Sequence, residues 1–166
     1  MTSGDHDVNS ETPSKPPRLP PRWFIRTAWA THRGLYRLSR GRLGLRRPRP
    51  DRWGMMSLTC TGRRTGRRRT VILAYFEDGP NIITMAMNGW AAPEPAWWLN
   101  LQANPEAVVQ LPDRQVSVHA RSAKGDERER LWGLWREVGD SVDEYAKRRP
   151  EETAVVVLEP IPSQAR

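Results

Sequence analysis

Three short apolar runs separated by two turn signals restrict the fold of this chain more than any other feature. The runs cover residues 55–61 (M-M-S-L-T-C-T), 70–76 (T-V-I-L-A-Y-F) and 81–87 (N-I-I-T-M-A-M). The intervening segments are T-G-R-R-T-G-R-R-R, residues 61–69, and E-D-G-P, residues 77–80. Runs this short, bounded by glycine-containing turns, spell consecutive strands of an antiparallel meander. The middle run is nearly all apolar, which fits a strand covered by neighbours.

The rest of the chain extends that pattern. Residues 88–95 (N-G-W-A-A-P-E-P) read as a loop, and Pro95 suits the first position of a short helix that ends before Asn104-Pro105. Residues 106–111 form a fourth strand. Residues 115–121 alternate through Val116, Val118 and Ala120 as a fifth strand with one wet face. Residues 153–159 (T-A-V-V-V-L-E) form a buried sixth strand. Helical patterns cover 125–136, with Leu131, Trp132, Leu134 and Trp135, and 142–149. The fold class is mainly β (α+β): a six-stranded antiparallel barrel with appended helices and an N-terminal helix. At 166 residues the chain fits one domain with its own core. Residues 1–21 are a polar, proline-rich tail expected to be disordered. Residues 22–52 are a basic amphipathic helix followed by a linker (46–52), residues 53–162 are the barrel domain, and 163–166 are a tail.

Charge is unevenly distributed. The net charge is +8, yet residues 1–69 carry 17 Lys/Arg against 4 Asp/Glu, and the remainder is acidic. An anionic partner for the first part follows: acidic lipid, nucleic acid or an acidic small molecule. Arg22, Arg26, Arg33, Arg37, Arg40 and Arg42 interleave with Trp23, Phe24, Leu35 and Leu38. That helix packs on the domain with its arginines outward, lies on a membrane surface or contacts nucleic acid. No run of about 18 apolar residues is long enough for a spanning helix. One cysteine, Cys60, excludes an internal disulfide and fits a reducing, cytoplasmic setting.

The densest charge is the turn at 61–69, where five of nine residues are arginine. Glycines let a backbone approach a ligand closely, and guanidinium forks match phosphate and carboxylate. The turn therefore reads either as an anion-binding hairpin or as solvated charge. Metal chemistry is not indicated, because His6, His32 and His119 are scattered without ligand spacing. Cys60 has no histidine placed to activate it and reads as a small core residue. The pairs Asp126-Glu127 and Asp143-Glu144 read as helix-start charges. Trp90, Trp97 and Trp98 surround the loop and the first helix start, as core packing or as a wall for an aromatic ring. A ligand with a ring at one end and anions at the other, such as a nucleotide or a flavin, would suit both features.

The ordered set T-G-R-R-T-G-R-R-R-T, E-D-G, A-M-N-G, P-A-W-W-L-N-L-Q-A-N-P and V-V-V-L-E-P resembles the deazaflavin-dependent nitroreductase family of actinobacteria, over about residues 58–160. The resemblance implies a split β-barrel that uses coenzyme F-420, an 8-hydroxy-5-deazaflavin. It implies hydride transfer to a quinone, nitro compound or activated alkene. It places Arg63, Arg64 and Thr65 on the cofactor's phosphate and oligoglutamate tail, and Arg69, Thr70, Val71 and Ile72 along its path. Met85, Ala86, Met87 and Asn88 would lie along the ring, and Ala96, Trp97, Trp98, Leu99 and Asn100 would close the pocket. Family members carry tyrosines where Gly139 and Val142 stand here, which leaves Tyr145 as the candidate proton donor. The alternative function is a barrel that binds the deazaflavin without turnover, associated with a membrane surface through its basic helix. A small-molecule acceptor and a homodimer are the partners implied; an anionic tail explains the arginines better than nucleic acid does.

Overall fold

The computed structural model describes residues 44–87, 93–139 and 142–162. The expected tails at 1–21 and 163–166, most of the basic helix at 22–45, Asn88 and Trp90 lie outside the described residues. Six strands form a closed antiparallel barrel: β1 (Gly54–Thr61), β2 (Arg68–Asp78), β3 (Asn81–Met85), β4 (Glu106–Gln110), β5 (Gln115–Ser122) and β6 (Val155–Pro160). Their order around the barrel is β1-β2-β3-β6-β5-β4, with β4 closing on β1. Helix α1 (Ala96–Ala103) joins β3 to β4, and α2 (Gly125–Val138) and α3 (Val142–Ala146) lie between β5 and β6.

The apolar runs at β3 and β6 are continuous because both strands are covered on both faces. Successive side chains on a strand point to opposite sides. Ile82, Val156 and Leu158 thus enter the barrel with Met56, Leu58, Tyr75, Val109 and Val118. Their neighbours Ile83, Met85, Val155 and Val157 enter a second core outside the barrel, under Leu131, Trp132 and Trp135 of α2 and Val142 of α3. Trp135 is fully buried there, between Trp53 at 5.1 Å and Phe76 at 5.2 Å, centroid to centroid. Trp97, Trp98 and Leu101 carry α1 into the barrel core.

Local chemistry accounts for where the expected boundaries move. Residues 46–52, expected as a linker, fold back as a hairpin on β1. Arg46 and Met55 exchange both backbone hydrogen bonds, at 3.1 and 2.8 Å, and Arg49 pairs with Arg52 around Pro50-Asp51. Pro95 precedes α1 rather than opening it, and its carbonyl accepts from the N–H groups of Trp98 and Leu99. Strand β3 stops at Met85 because the Met87 N–H turns back to the Met85 carbonyl. Helix α3 stops at Ala146; Arg148 and Arg149 donate three residues back, a tighter turn imposed by the approach to Pro150. The acidic pairs are more than helix-start charges. Glu127 takes a bidentate contact from Arg121, and Asp143 accepts from Trp132 Nε1 at 2.6 Å and Arg136 Nε at 2.8 Å.

Candidate functional site

The arginine turn is a built element. After Thr61 the chain makes one helical turn: the N–H groups of Thr65 and Gly66 both donate to the Gly62 carbonyl. Gly66 then takes φ +66°, the left-handed conformation that ends a helical turn most cheaply in glycine. The Gly62 N–H donates to the Arg67 carbonyl at 2.9 Å and closes the loop where Thr61 pairs with Arg68. The arginine backbones are thus fixed while Arg63, Arg64, Arg67, Arg68 and Arg69 all remain exposed.

Charge pairing separates this turn from the arginines that brace the barrel and its helices. Arg47, Arg114, Arg121, Arg128, Arg130, Arg136 and Arg149 each pair with a carboxylate. Among the described residues no carboxylate pairs with Arg64, Arg67, Arg68 or Arg69. Arg63 is held differently. Its backbone N–H and its Nη1 both donate to Asn100 Oδ1, at 3.2 and 3.1 Å. Asn100 is 6% exposed, and its Nδ2 lies 3.8 Å from Cys60 Sγ. One amide therefore ties the turn, β1 and α1 together. Burial pushes the Cys60 thiol up, outweighing the Asn100 hydrogen bond, so the nearby arginines do not make it a reactive thiolate.

A seam opens beside the turn. β3 pairs with β2 only from Phe76↔Ile83 to Asp78↔Asn81. From Arg68 to Tyr75, β2 is paired with β1 alone among the described residues, with Thr84 Oγ1 reaching the Ala74 carbonyl at 2.8 Å. Arg69, Thr70, Val71 and Ile72 all lie on this unpaired edge. Their side chains split by parity: Val71 packs toward the barrel core, whereas Ile72 belongs to the opposite face. Met85 and Met87 go to the outer core and Ala86 to the inner one. A ligand in the seam would therefore meet these segments through their backbone and through one parity of side chain.

The helix residues divide as well. Trp97 and Trp98 are 7% and 6% exposed and pack edge to face at 6.2 Å, so they serve the core more than a ring-binding wall. Ala96 is exposed, Leu99 half-buried. Tyr145 is half-buried on α3, under the Arg148 guanidinium at 5.2 Å from its ring centroid. The same helix sends Val142 and Ala146 into the cluster that holds Met85 and Met87. Among the described residues no three His, Cys, Asp or Glu gather as metal ligands, and no helix is long and apolar enough to cross a membrane. The sequence reading missed Arg149. It is buried, and joins Glu94, Thr153 and the Ala86 carbonyl. Only its position near a proline break distinguished it from the exposed Lys147 and Arg148 beside it.

A family model described as F420H2-dependent quinone reductase matches residues 29–160. An F420H2-dependent quinone reductase of Mycobacterium tuberculosis is 30% identical over 130 residues, 76% of this chain and 86% of the relative. Among solved structures, an F420-H2-dependent reductase, FDR-A, superposes with a TM-score of 0.58 at 30% identity, over 63% of this chain and 93% of that one. A second solved chain, described as a domain-swapped dimer, gives a TM-score of 0.62 at 28% identity, over 81% and 99% of the two chains.

Proposed function

The chain belongs to the F420H2-dependent quinone reductase family, and on that basis we propose that it binds coenzyme F-420 and reduces a quinone-type acceptor with it. The cofactor, when bound in its reduced form, supplies the hydride; the protein supplies binding, orientation and exclusion of water. The observation that carries this reading is the arginine turn, whose fixed backbone presents Arg64, Arg67, Arg68 and Arg69 without carboxylate partners. An anionic phosphate and oligoglutamate tail is the counter-charge such a turn lacks.

The residues divide by task. Arg63, Arg64 and Thr65 hold the anionic tail. The unpaired edge of β2, from Arg69 to Ile72, runs along the cofactor, with the half-buried Met87 offering its side chain toward the ring and the buried Ile72 and Met85 backing that surface. Ala96 and Leu99 close the pocket, while Trp97, Trp98 and Asn100 hold it from behind. The Tyr145 O–H is the proton donor to the reduced acceptor, with solvent as the competing source. Nitro and enone acceptors belong to the same proposal, as electron-poor groups that accept hydride. So do a homodimer and a membrane-surface location, the latter supported by Arg46, Arg49 and Arg52, exposed on the hairpin that continues the basic N-terminal stretch.

The test is oxidation of reduced coenzyme F-420, followed by absorbance, against a panel of soluble quinones and nitroaromatics. Quinone-dependent oxidation at a rate proportional to enzyme is expected. Tight binding with no oxidation across the panel would replace the reductase with a binding protein. Arg64→Ala should weaken cofactor binding about ten-fold or more, the worth of one charge-assisted contact, and flatten its salt dependence. Its Tm should not change, because Arg64 makes no side-chain hydrogen bond or ion pair among the described residues.

A further inference from the structure

The guanidinium of Arg149 is the most buried cation among the described ion pairs, with its side chain 2% exposed. Its Nη1 donates to the Ala86 carbonyl at 2.6 Å and to Thr153 Oγ1 at 3.0 Å, and its Nη2 donates to Glu94 Oε1 at 2.6 Å. Those partners come from three separate segments. Ala86 ends the β3 run. Glu94 stands two residues before α1. Thr153 leads into β6, where the Ala154 carbonyl takes the Ala86 N–H at 2.9 Å. One side chain therefore fixes both ends of the segment that connects β3 to α1.

The pair is poorly built as a stabilising device. Glu94 Oε2 and Arg149 Nε are buried and have no hydrogen-bond partner among the described residues. Buried polar atoms left unsatisfied lower stability, and a buried ion pair generally gains little over apolar residues of the same volume. What it does provide is geometry: a planar fork with fixed donor directions admits one arrangement of the two chain ends.

We propose that Arg149 and Glu94 are positioning residues that set the distance between the β3 end and the start of α1, and so the shape of the ring end of the cofactor site. This rests on the deazaflavin reading for its ligand, but not for its geometry. Neither residue needs to touch the cofactor; they act through the backbone of Ala86 and through Pro95, which leads into the helix.

The experiment compares the full-length chain with Arg149→Met/Glu94→Met, which removes both charges at similar volume, and with Arg149→Lys, which keeps charge without the fork. Three quantities are read: Tm, amide hydrogen exchange at Ala86, Met87, Trp98 and Leu99 in the unliganded protein, and the Kd for coenzyme F-420. The double variant leaves the buried Ala86 carbonyl and Thr153 hydroxyl without their Arg149 donor, so its Tm falls modestly. The diagnostic result is that those four amides exchange at least ten-fold faster while the other barrel amides keep wild-type protection, and that Kd rises at least ten-fold. Arg149→Lys should fall between the two in exchange and affinity. A double variant that keeps wild-type exchange overturns the proposal. So does one in which amides throughout the barrel exchange faster to the same degree, which would make the pair a stability element. If the wild-type chain binds no coenzyme F-420, the functional reading fails while the exchange data still decide the positioning claim.

Discussion

Replacing Asn100 by leucine would separate the turn from the barrel while keeping side-chain volume. The structure sets the size of the effect. Asn100 Oδ1 accepts the Arg63 backbone N–H at 3.2 Å and the Arg63 Nη1 at 3.1 Å, and Nδ2 faces Cys60 Sγ at 3.8 Å. The backbone hydrogen bond contributes about 1 kcal/mol. The guanidinium contact would be worth more if buried, but Arg63 is exposed, and screening leaves it about 0.5 kcal/mol. The contact to sulfur adds a few tenths. The total is about 2 kcal/mol, which in a chain of this size lowers Tm by roughly 4–8 °C. Affinity for coenzyme F-420 should fall about ten-fold as Arg63 loses its fixed direction. Asn100→Asp sharpens the test. It restores the acceptor for Arg63 and so recovers much of the Tm. Its negative charge competes with the anionic tail, however, so affinity stays low. Differential scanning calorimetry and deazaflavin fluorescence titration read the two effects separately. Asn100→Leu with Tm within about 1 °C and affinity within about two-fold of wild type would refute this account of the turn.

Two other substitutions probe the frame around the site. Gly54→Ala would put its Cβ 2.4 Å from Tyr75 Cε1 and 2.8 Å from both the Arg46 carbonyl and Pro48 N. Overpacking of that kind costs about 2 kcal/mol, which urea denaturation would register as a lowered midpoint; an unchanged midpoint would mean the hairpin at 46–52 does not press on β1. Trp132→Phe removes the hydrogen bond that does most to hold the Asp143 carboxyl below its ordinary value, ahead of the one from Arg136. A depressed folded-state value contributes stability that is present above the ordinary carboxylate range and lost as pH falls through the folded value. In Trp132→Phe the Asp143 carbon resonance should titrate closer to 3.8, and the variant should lose less stability than wild type on acidification. No change in that titration would show that Trp132 does not set it, leaving Arg136 and Lys147 as its causes.

Periodicity made the barrel legible in the sequence, and its limits are physical too. The strands were visible because alternating or continuous apolar runs report burial directly, as in β6; the apolar run of β2 reads as a covered central strand, yet among the described residues 68–75 pair with β1 alone. The turn was visible because glycine spacing and charge density are local. What could not be read were pairings between side chains distant in sequence. Asn100 caps the turn from 37 residues away. Arg149 reaches Glu94 across 55 residues, yet in sequence it looks like Arg148, which is exposed. Parity was the other gap. A resemblance that names Val71 with Ile72, or Ala86 with Met85 and Met87, groups neighbours in sequence that point to opposite faces of the sheet. Likewise Trp97 and Trp98 were open to reading as a ring wall, but α1 turns both into the barrel core.

In the proposed function, an unneutralised arginine turn and the adjoining seam hold a deazaflavin by its anionic tail. Fluorescence titration of the full-length chain with coenzyme F-420, alongside flavin mononucleotide, tests it most directly. Saturable binding in the micromolar range, at least ten-fold tighter than flavin mononucleotide and weakened by salt, is the predicted result. No binding at tens of micromolar, a generous ceiling for a cofactor that must be held through turnover, or a preference for flavin mononucleotide, would contradict it.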